Sequence, residues 1–322
     1  MVDPETAQRV WKAIEDLRYY PNTQARSLVS GRSHIVGLIV SDITNPFFPE
    51  LVKGFEDVAV QQGYDILVSS SNYNSARMAV AVRRMLERKV DGVAIMTSEM
   101  DDHLIEQLAH RNVPMVFLDV GPPGERISNI VVDYAMGVNE AVAHLVALGH
   151  RRIGFISGPM GLKSARVRRS AFLHALDRYG IREDAALVQE GNHKVDGGLE
   201  AMQRLLAETK APTAVLASND LTAIGMMRAI RSAGMVVPCD ISVVGFDDIW
   251  LAEFTEPPLT TVRLSRTELA GKAFQALLAD VRTAPEAAPK PDCNMQTHLV
   301  IRQSTCRAVS RVVNGKSGGS VA

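Results

Sequence analysis

The strongest constraint on the fold is a rhythm that runs through the chain twice. Short runs rich in Val and Ile alternate with stretches of helical period: IVGLIV (35–40), YDILVSS (64–70), DGVAIM (91–96) and PMVFLD (114–119), with helical stretches over 46–62, through Arg84 and near 102–111. A strand apolar on both faces must be covered on both faces. A helix between successive strands is the connection that lets them pair in parallel. The rhythm restarts with IGFIS (153–157), AVLAS (214–218) and ISVVGF (241–246), again separated by helical stretches. The chain therefore reads as α/β, two doubly wound parallel-sheet lobes of similar size.

The segment after 258 divides less simply. PPLTTVRLSRTELAGKAFQALL supplies a short strand and a helix, and NMQTHLVIRQST (294–305) a last strand. These cannot all join the second lobe if the lobes are alike. Crossings near 132, 263 and 292 divide them, giving one lobe from 32–132 plus 263–292 and another from 133–262 plus 293–307. Such a multi-strand hinge builds a two-lobed clamp. Residues 308–322, ending VNGKSGGSVA, are small and polar and read as a disordered tail.

Residues 1–31 differ from the body. Asp3 is placed to cap a helix that starts at Pro4, and Val10, Ala13, Ile14 and Leu17 share one face of it. Pro21 ends that helix. Asn22 can open a second, short one, TQARSLVS, closed by Gly31.

Charge and motifs narrow the function classes. Net charge is -1, so any nucleic-acid binding must come from a local patch. Cys239, Cys293 and Cys306 are far apart in sequence without CxxC spacing, which disfavours a disulfide scaffold or a zinc site. His144 and His150 lack metal-pair spacing. GPMGLKS (158–164) resembles a phosphate loop only superficially, because its glycines are wrongly spaced. No nucleophile elbow, HExxH or GxGxxG is present. The expectation is no metal, no cofactor and no enzyme. No apolar run is long enough to cross a bilayer and none opens the chain as a signal segment, so no membrane partner and a cytoplasmic location are expected.

Ligands of open α/β sheets bind beyond the carboxyl ends of the strands. Polar groups fall there after several runs: Asp42 to Phe48, Asp119, Asn219 with Asp220, and Asp247 with Asp248. Each has a plainer alternative. Asn219 and Asp220 can cap the next helix, and Asp248 can brace a turn.

VDPETAQRVWKAIEDLRYYPNTQARSLVSGRSHIVGLIVSDITNPFF resembles the headpiece–core junction of the lac repressor family of bacterial transcription factors. AVAHLVALGHRRIGFISGP, SNDLTAIGMMRAI and DISVVGFDDIWLAEFTEPPLTTV resemble that family's core. The resemblance runs in order from about 2 to 305. It implies a core similar to periplasmic sugar-binding proteins. Phe47, Arg168, Asn219 and Asp247 match the family's ligand contacts, and Arg168 shares SARVRRSAF with Arg166 and Arg169. His193 falls where the family often sets an aromatic ring over the ligand, with an exposed loop histidine as the alternative. Trp250 either rims the pocket or packs as core. Residues 4–18 match the third headpiece helix and 22–29 the hinge helix, with Arg26 and Arg32 for phosphates and Leu28 as a minor-groove wedge. The family's helix-turn-helix would precede VDPETAQRV, where this sequence has Met1 and Val2, so specific DNA binding is not expected of the sequence as given. The resemblance thus implies a ligand-responsive regulator. Its partners would be a small-molecule effector (a sugar or related metabolite), operator DNA in the full-length form, and a second copy of itself. CRAVSRVVNGKSGGSVA holds no leucine for a tetramer zipper. The alternative is a solute receptor of the periplasmic type without a DNA-binding role.

Overall fold

The computed structural model describes residues 3–17, 31–97, 102–119, 126–282 and 292–308. Its first element, α1 (Pro4–Asp16), is capped by the Asp3 carboxylate, which accepts from the Thr6 amide at 3.3 Å. None of its residues is buried, and Val10, Trp11 and Leu17 are exposed. The hinge segment with Arg26 and Leu28 lies outside the described residues, as does the tail from 309 on. Arg32 is described and exposed.

The first lobe holds β1 (Ile35–Val40), α2 (Phe47–Gln61), β2 (Asp65–Ser70), α3 (Ser75–Glu87), β3 (Gly92–Met96), α4 (Asp102–Ala109), β4 (Met115–Leu118) and β5 (Ile127–Asp133). The second holds α5 (Tyr134–Ala147), β6 (Ile153–Ser157), α6 (Lys163–Arg178), β7 (Val188–Glu190), α7 (Val195–Ala207), β8 (Ala214–Ala217), α8 (Asp220–Ser232), β9 (Ser242–Asp247) and β10 (Thr260–Arg263). Helix α9 (Arg266–Arg282) returns to pack on the first lobe, and β11 (Cys293–Gln296) and β12 (His298–Val300) close the chain. The sheet orders are β11-β5-β4-β3-β1-β2 and β12-β10-β9-β8-β6-β7.

The alternation read from sequence is visible in the core. On β1, Val36, Leu38 and Val40 face a cluster with Phe55 and Phe274, while Ile39 faces Met78, Met85 and Leu108. Period-two side chains with both sets apolar are what a strand under two helix layers requires. Phe55 of α2 and Phe274 of α9 meet edge-on at 5.3 Å, which explains why α9 rejoins the first lobe.

The structure corrects two expectations. The run read as one strand over 294–305 is two strands in different sheets, with Thr297 between them. Residues 293–296 pair with β5 of the first sheet, so the third crossing falls at Thr297 rather than near 292. Thr297 is fully buried; its hydroxyl donates to the Asp133 carbonyl at 2.6 Å and accepts from the Gly137 amide at 3.0 Å. Those bonds satisfy the backbone where the first crossing turns into α5, and a side chain on Gly137 would strike Val262 and Thr297. Second, β12 runs antiparallel to β10, so the second sheet is not wholly parallel.

Candidate functional site

The carboxyl ends of the strands in both sheets face one cleft. Its lining includes Ser41 after β1, Thr97 after β3, Asp119 after β4, Tyr134 after β5, Asn219 after β8 and Asp247 at the end of β9. The cleft is narrow: its cavity volume is ≈ 70 Å³, within ≈ 600 Å³ of atom-free space that takes in open solvent. Phe47, Asp119, Arg168, His193, Asn219 and Asp247 all line this one space.

Arg168 sits in the middle of α6 and is buried. Its guanidinium carbon lies 4.1 Å from the Phe246 ring centre and 4.8 Å from that of Tyr134. One terminal nitrogen donates to the Ser218 carbonyl at 2.5 Å, and the other stands 3.7 Å from the Asp247 carboxylate. Its Nε is buried without a partner among the described residues. At 3.7 Å the pair attracts but does not close a hydrogen bond, so both groups keep bonding capacity. Burial raises the Asp247 carboxyl to about 6, against the opposing pull of Arg168 and Arg266.

His193 is buried against Gly158, where a side chain would overlap its ring. Burial lowers its pKa to about 3, helped by the Arg168 charge, so the ring is a neutral imidazole. Its Nε2 has no partner among the described residues. The exposed-loop alternative for His193 does not match this position. Asn219 does cap α8: its oxygen accepts from the Thr222 amide, and its amide donates to the His193 carbonyl, both at 2.9 Å. One amide hydrogen remains for the cleft. Asp119 accepts from the Tyr134 hydroxyl at 2.6 Å and from the Val132 amide at 3.3 Å, and desolvation raises its pKa.

Other candidates from sequence lie elsewhere. Asp220 is buried beneath the cleft, held by Thr261 and the Ile249 amide. Asp248 braces its turn through Arg263 at 2.5 Å and Arg302 at 2.8 Å. Trp250 is 55% exposed and meets Phe254 edge-on instead of lining the cleft. Asp42 accepts from Thr44 within its own loop. Arg166 is exposed and bonds the Met160 and Gly161 carbonyls. Sequence reasoning missed Tyr134 and Tyr73. Both follow strand ends, so the rule that found Asp119 would have found Tyr73; β5, which precedes Tyr134, was not read as a strand.

Four residues with positive φ line this space: Tyr73 (55°), Asp119 (56°), His193 (62°) and Asp247 (105°). Non-glycine residues in such conformations are costly and cluster where a site over-determines them.

Two lobes of parallel-dominated sheet, joined by three crossings and sharing a polar cleft, define the periplasmic-binding-protein class of ligand-binding core. The family model described as a periplasmic binding protein-like domain matches residues 142–305. The chain is 32% identical over 290 residues to the HTH-type transcriptional repressor PurR of Glaesserella parasuis serovar 5 (strain SH0165), covering 90% of this chain and 85% of the relative. It is similar to the crystal structure of the lac repressor dimer bound to operator and the anti-inducer ONPF, with TM-score 0.81 and 30% identity over 95% of this chain and 92% of that one. It is similar also to a transcriptional regulator CelR–cellobiose complex, with TM-score 0.77 and 29% identity over 94% of this chain and 92% of that one. The chain belongs to the lac repressor (LacI) family of transcriptional regulators. These relatives are regulators rather than enzymes or solute receptors, and among the described residues no helix is long and apolar enough to cross a membrane.

Proposed function

We propose that the chain is the core of a cytoplasmic, dimeric transcriptional repressor whose cleft binds a small polyhydroxylated metabolite, a sugar or a related compound. It carries out no catalysis. Phe47 offers an aromatic face, Asp247 and Asp119 accept hydrogen bonds from hydroxyls, and Arg168, His193 and Asn219 complete the polar ring. One observation carries the reading. Among the described residues, Arg168 Nε and His193 Nε2 are buried without partners and the Asp247 carboxylate, which lines the same cleft, accepts no hydrogen bond. Buried polar groups left open at one spot are what a polar ligand would satisfy. Cellobiose in one relative supports the sugar class, and the operator-bound dimer of another supports the DNA and self-association roles. The two lobes run through residues 32–132 with 263–296 and through 133–262 with 298–307. Ligand occupancy acts by differential affinity for two lobe angles, transmitted to the hinge residues Arg26, Leu28 and Arg32. The test is calorimetry of the chain against a panel of mono- and disaccharides and purine bases, with sedimentation for the dimer. Binding unchanged in Asp247→Ala and Arg168→Ala would refute the assignment of the cleft, and a monomer at micromolar concentration would refute the dimer.

A further inference from the structure

A second concavity lies at the opposite end of the first sheet, where the strands begin. It measures ≈ 420 Å³ and is lined by residues just ahead of β1, β3, β4 and β5. Its floor is apolar, with Met85, Val90 and Val281 buried. Its rim carries Arg32, Lys89, Arg111 and Arg126 against one carboxylate, Asp91. That carboxylate is already engaged: it accepts from the Ser33 amide at 2.8 Å, the Ser33 hydroxyl at 2.9 Å and the His34 amide at 3.1 Å. Among the described residues, Lys89, Arg111 and Arg126 form no ion pair. Arg126 uses its terminal nitrogens on the carbonyls of Asn112 and Asp280, and its Nε is buried without a partner among the described residues.

A plainer origin for these charges is the negative end of each helix dipole, since α3 and α4 finish beside the groove. Each helix end supplies only about half a unit of negative charge. Two such ends leave most of three unpaired cations uncompensated, and Arg126 stands at the start of a strand. The described lining holds four cations, Arg32, Lys89, Arg111 and Arg126, against Asp91, with the Asp280 carboxylate held nearby by Ser128, so the lining is net cationic. An apolar floor under a cationic rim fits a molecule with an apolar body and an anionic head, and guanidinium groups favour phosphate.

We propose that this groove is a second ligand site, for a small phosphate-bearing molecule with an apolar body. Gly31 and Arg32 form part of its wall, and Asp91 at its edge pins Ser33 and His34. An occupant therefore touches the stretch that joins residues 1–30 to the core and acts on it from outside the cleft. The proposal is independent of what the cleft binds.

The experiment is calorimetry of the full chain with phenyl phosphate, phenol and inorganic phosphate, repeated on the double variant Lys89→Glu/Arg111→Glu. Both positions are exposed, and Arg111→Ser alone is a milder second variant. Phenyl phosphate should bind, more tightly than inorganic phosphate, and phenol should not. The double variant should weaken phenyl phosphate by at least about tenfold, the scale of losing a charge-assisted hydrogen bond. Absent binding, binding indifferent to both variants, or inorganic phosphate matching phenyl phosphate would overturn the proposal. So would variant-sensitive binding of a short DNA duplex without binding of phenyl phosphate, which would assign the groove to the DNA backbone.

Discussion

Replacing Asp247 with Asn should make the protein more stable while removing ligand binding. Burial raises the Asp247 carboxyl from 3.8 to about 6. A tenfold change in acidity is worth about 1.4 kcal/mol, so holding this carboxylate ionised at pH 7 costs the fold about 3 kcal/mol relative to an exposed one. The figure already includes the attraction to Arg168, so it is an upper bound on what Asn can recover. The sign follows from linkage. The folded form holds its proton more readily than the unfolded form, so the cost is absent below pH 4, grows between 4 and 6, and is complete above 6. Asn cannot ionise and escapes it. Asp247→Asn and the parent should therefore match at pH 4 and diverge by up to about 3 kcal/mol at pH 7. Denaturant unfolding at both pH values measures this. Calorimetry with a cleft ligand should show a loss of about 1.5–3 kcal/mol in binding. A variant destabilised equally at both pH values would refute the reasoning, because the carboxylate would then be a structural support rather than a stored cost.

The remaining predictions follow from the same cleft and its hinge. Arg168→Met leaves Asp247 as a buried, unpaired acid; its pKa should climb further, and stability at pH 7 should fall by about 3–5 kcal/mol in denaturant unfolding. His193, lowered to about 3 from 6.5, costs nothing above pH 6.5. Its contribution turns unfavourable as pH falls toward 3, because the unfolded chain takes up the proton first. His193→Gln should flatten that acid limb of the stability profile. Thr297→Val strands the Gly137 amide and removes one donor from the Asp133 carbonyl at the crossing. It should destabilise by about 1–3 kcal/mol in chemical unfolding.

Much of the fold was legible because buried parallel strands write themselves as contiguous Val and Ile runs. β1, β3, β6 and β9 follow that pattern, and the helices between them follow theirs. β5 and β7 did not stand out: β5 alternates apolar and polar in ISNIVVD, and β7 is only VQE. Thr297 carried no signal as a crossing. Its role lies in hydrogen bonds to Asp133 and Gly137, far away in sequence. The cleft was legible at Asp119, Asn219 and Asp247, since the strand-end rule needs only strand boundaries. Arg168 is different. It sits in mid-helix beside Arg166 and Arg169, and periodicity alone cannot say which of the three turns inward. What selects it is the pair of rings at Tyr134 and Phe246, which come from two other elements.

The placement of Arg266 suggests how the cleft and the hinge are coupled. Just past the second crossing, its Nε donates to Glu50 of the first lobe at 2.7 Å, and a terminal nitrogen donates to the Asp247 carbonyl at 2.7 Å. Asp247 therefore has two faces. Its carboxylate looks into the cleft, and its carbonyl is tied through Arg266 to a helix of the opposite lobe. It holds φ at 105°, outside the regions an ordinary residue prefers. A ligand that draws the carboxylate inward must either rotate this strained peptide or carry Arg266 and Glu50 with it. Rotation would cost the carbonyl its charge-assisted bond, so the second course is the cheaper one. On the proposed reading the first lobe then follows the ligand, and with it β1, which Arg32 precedes in the chain.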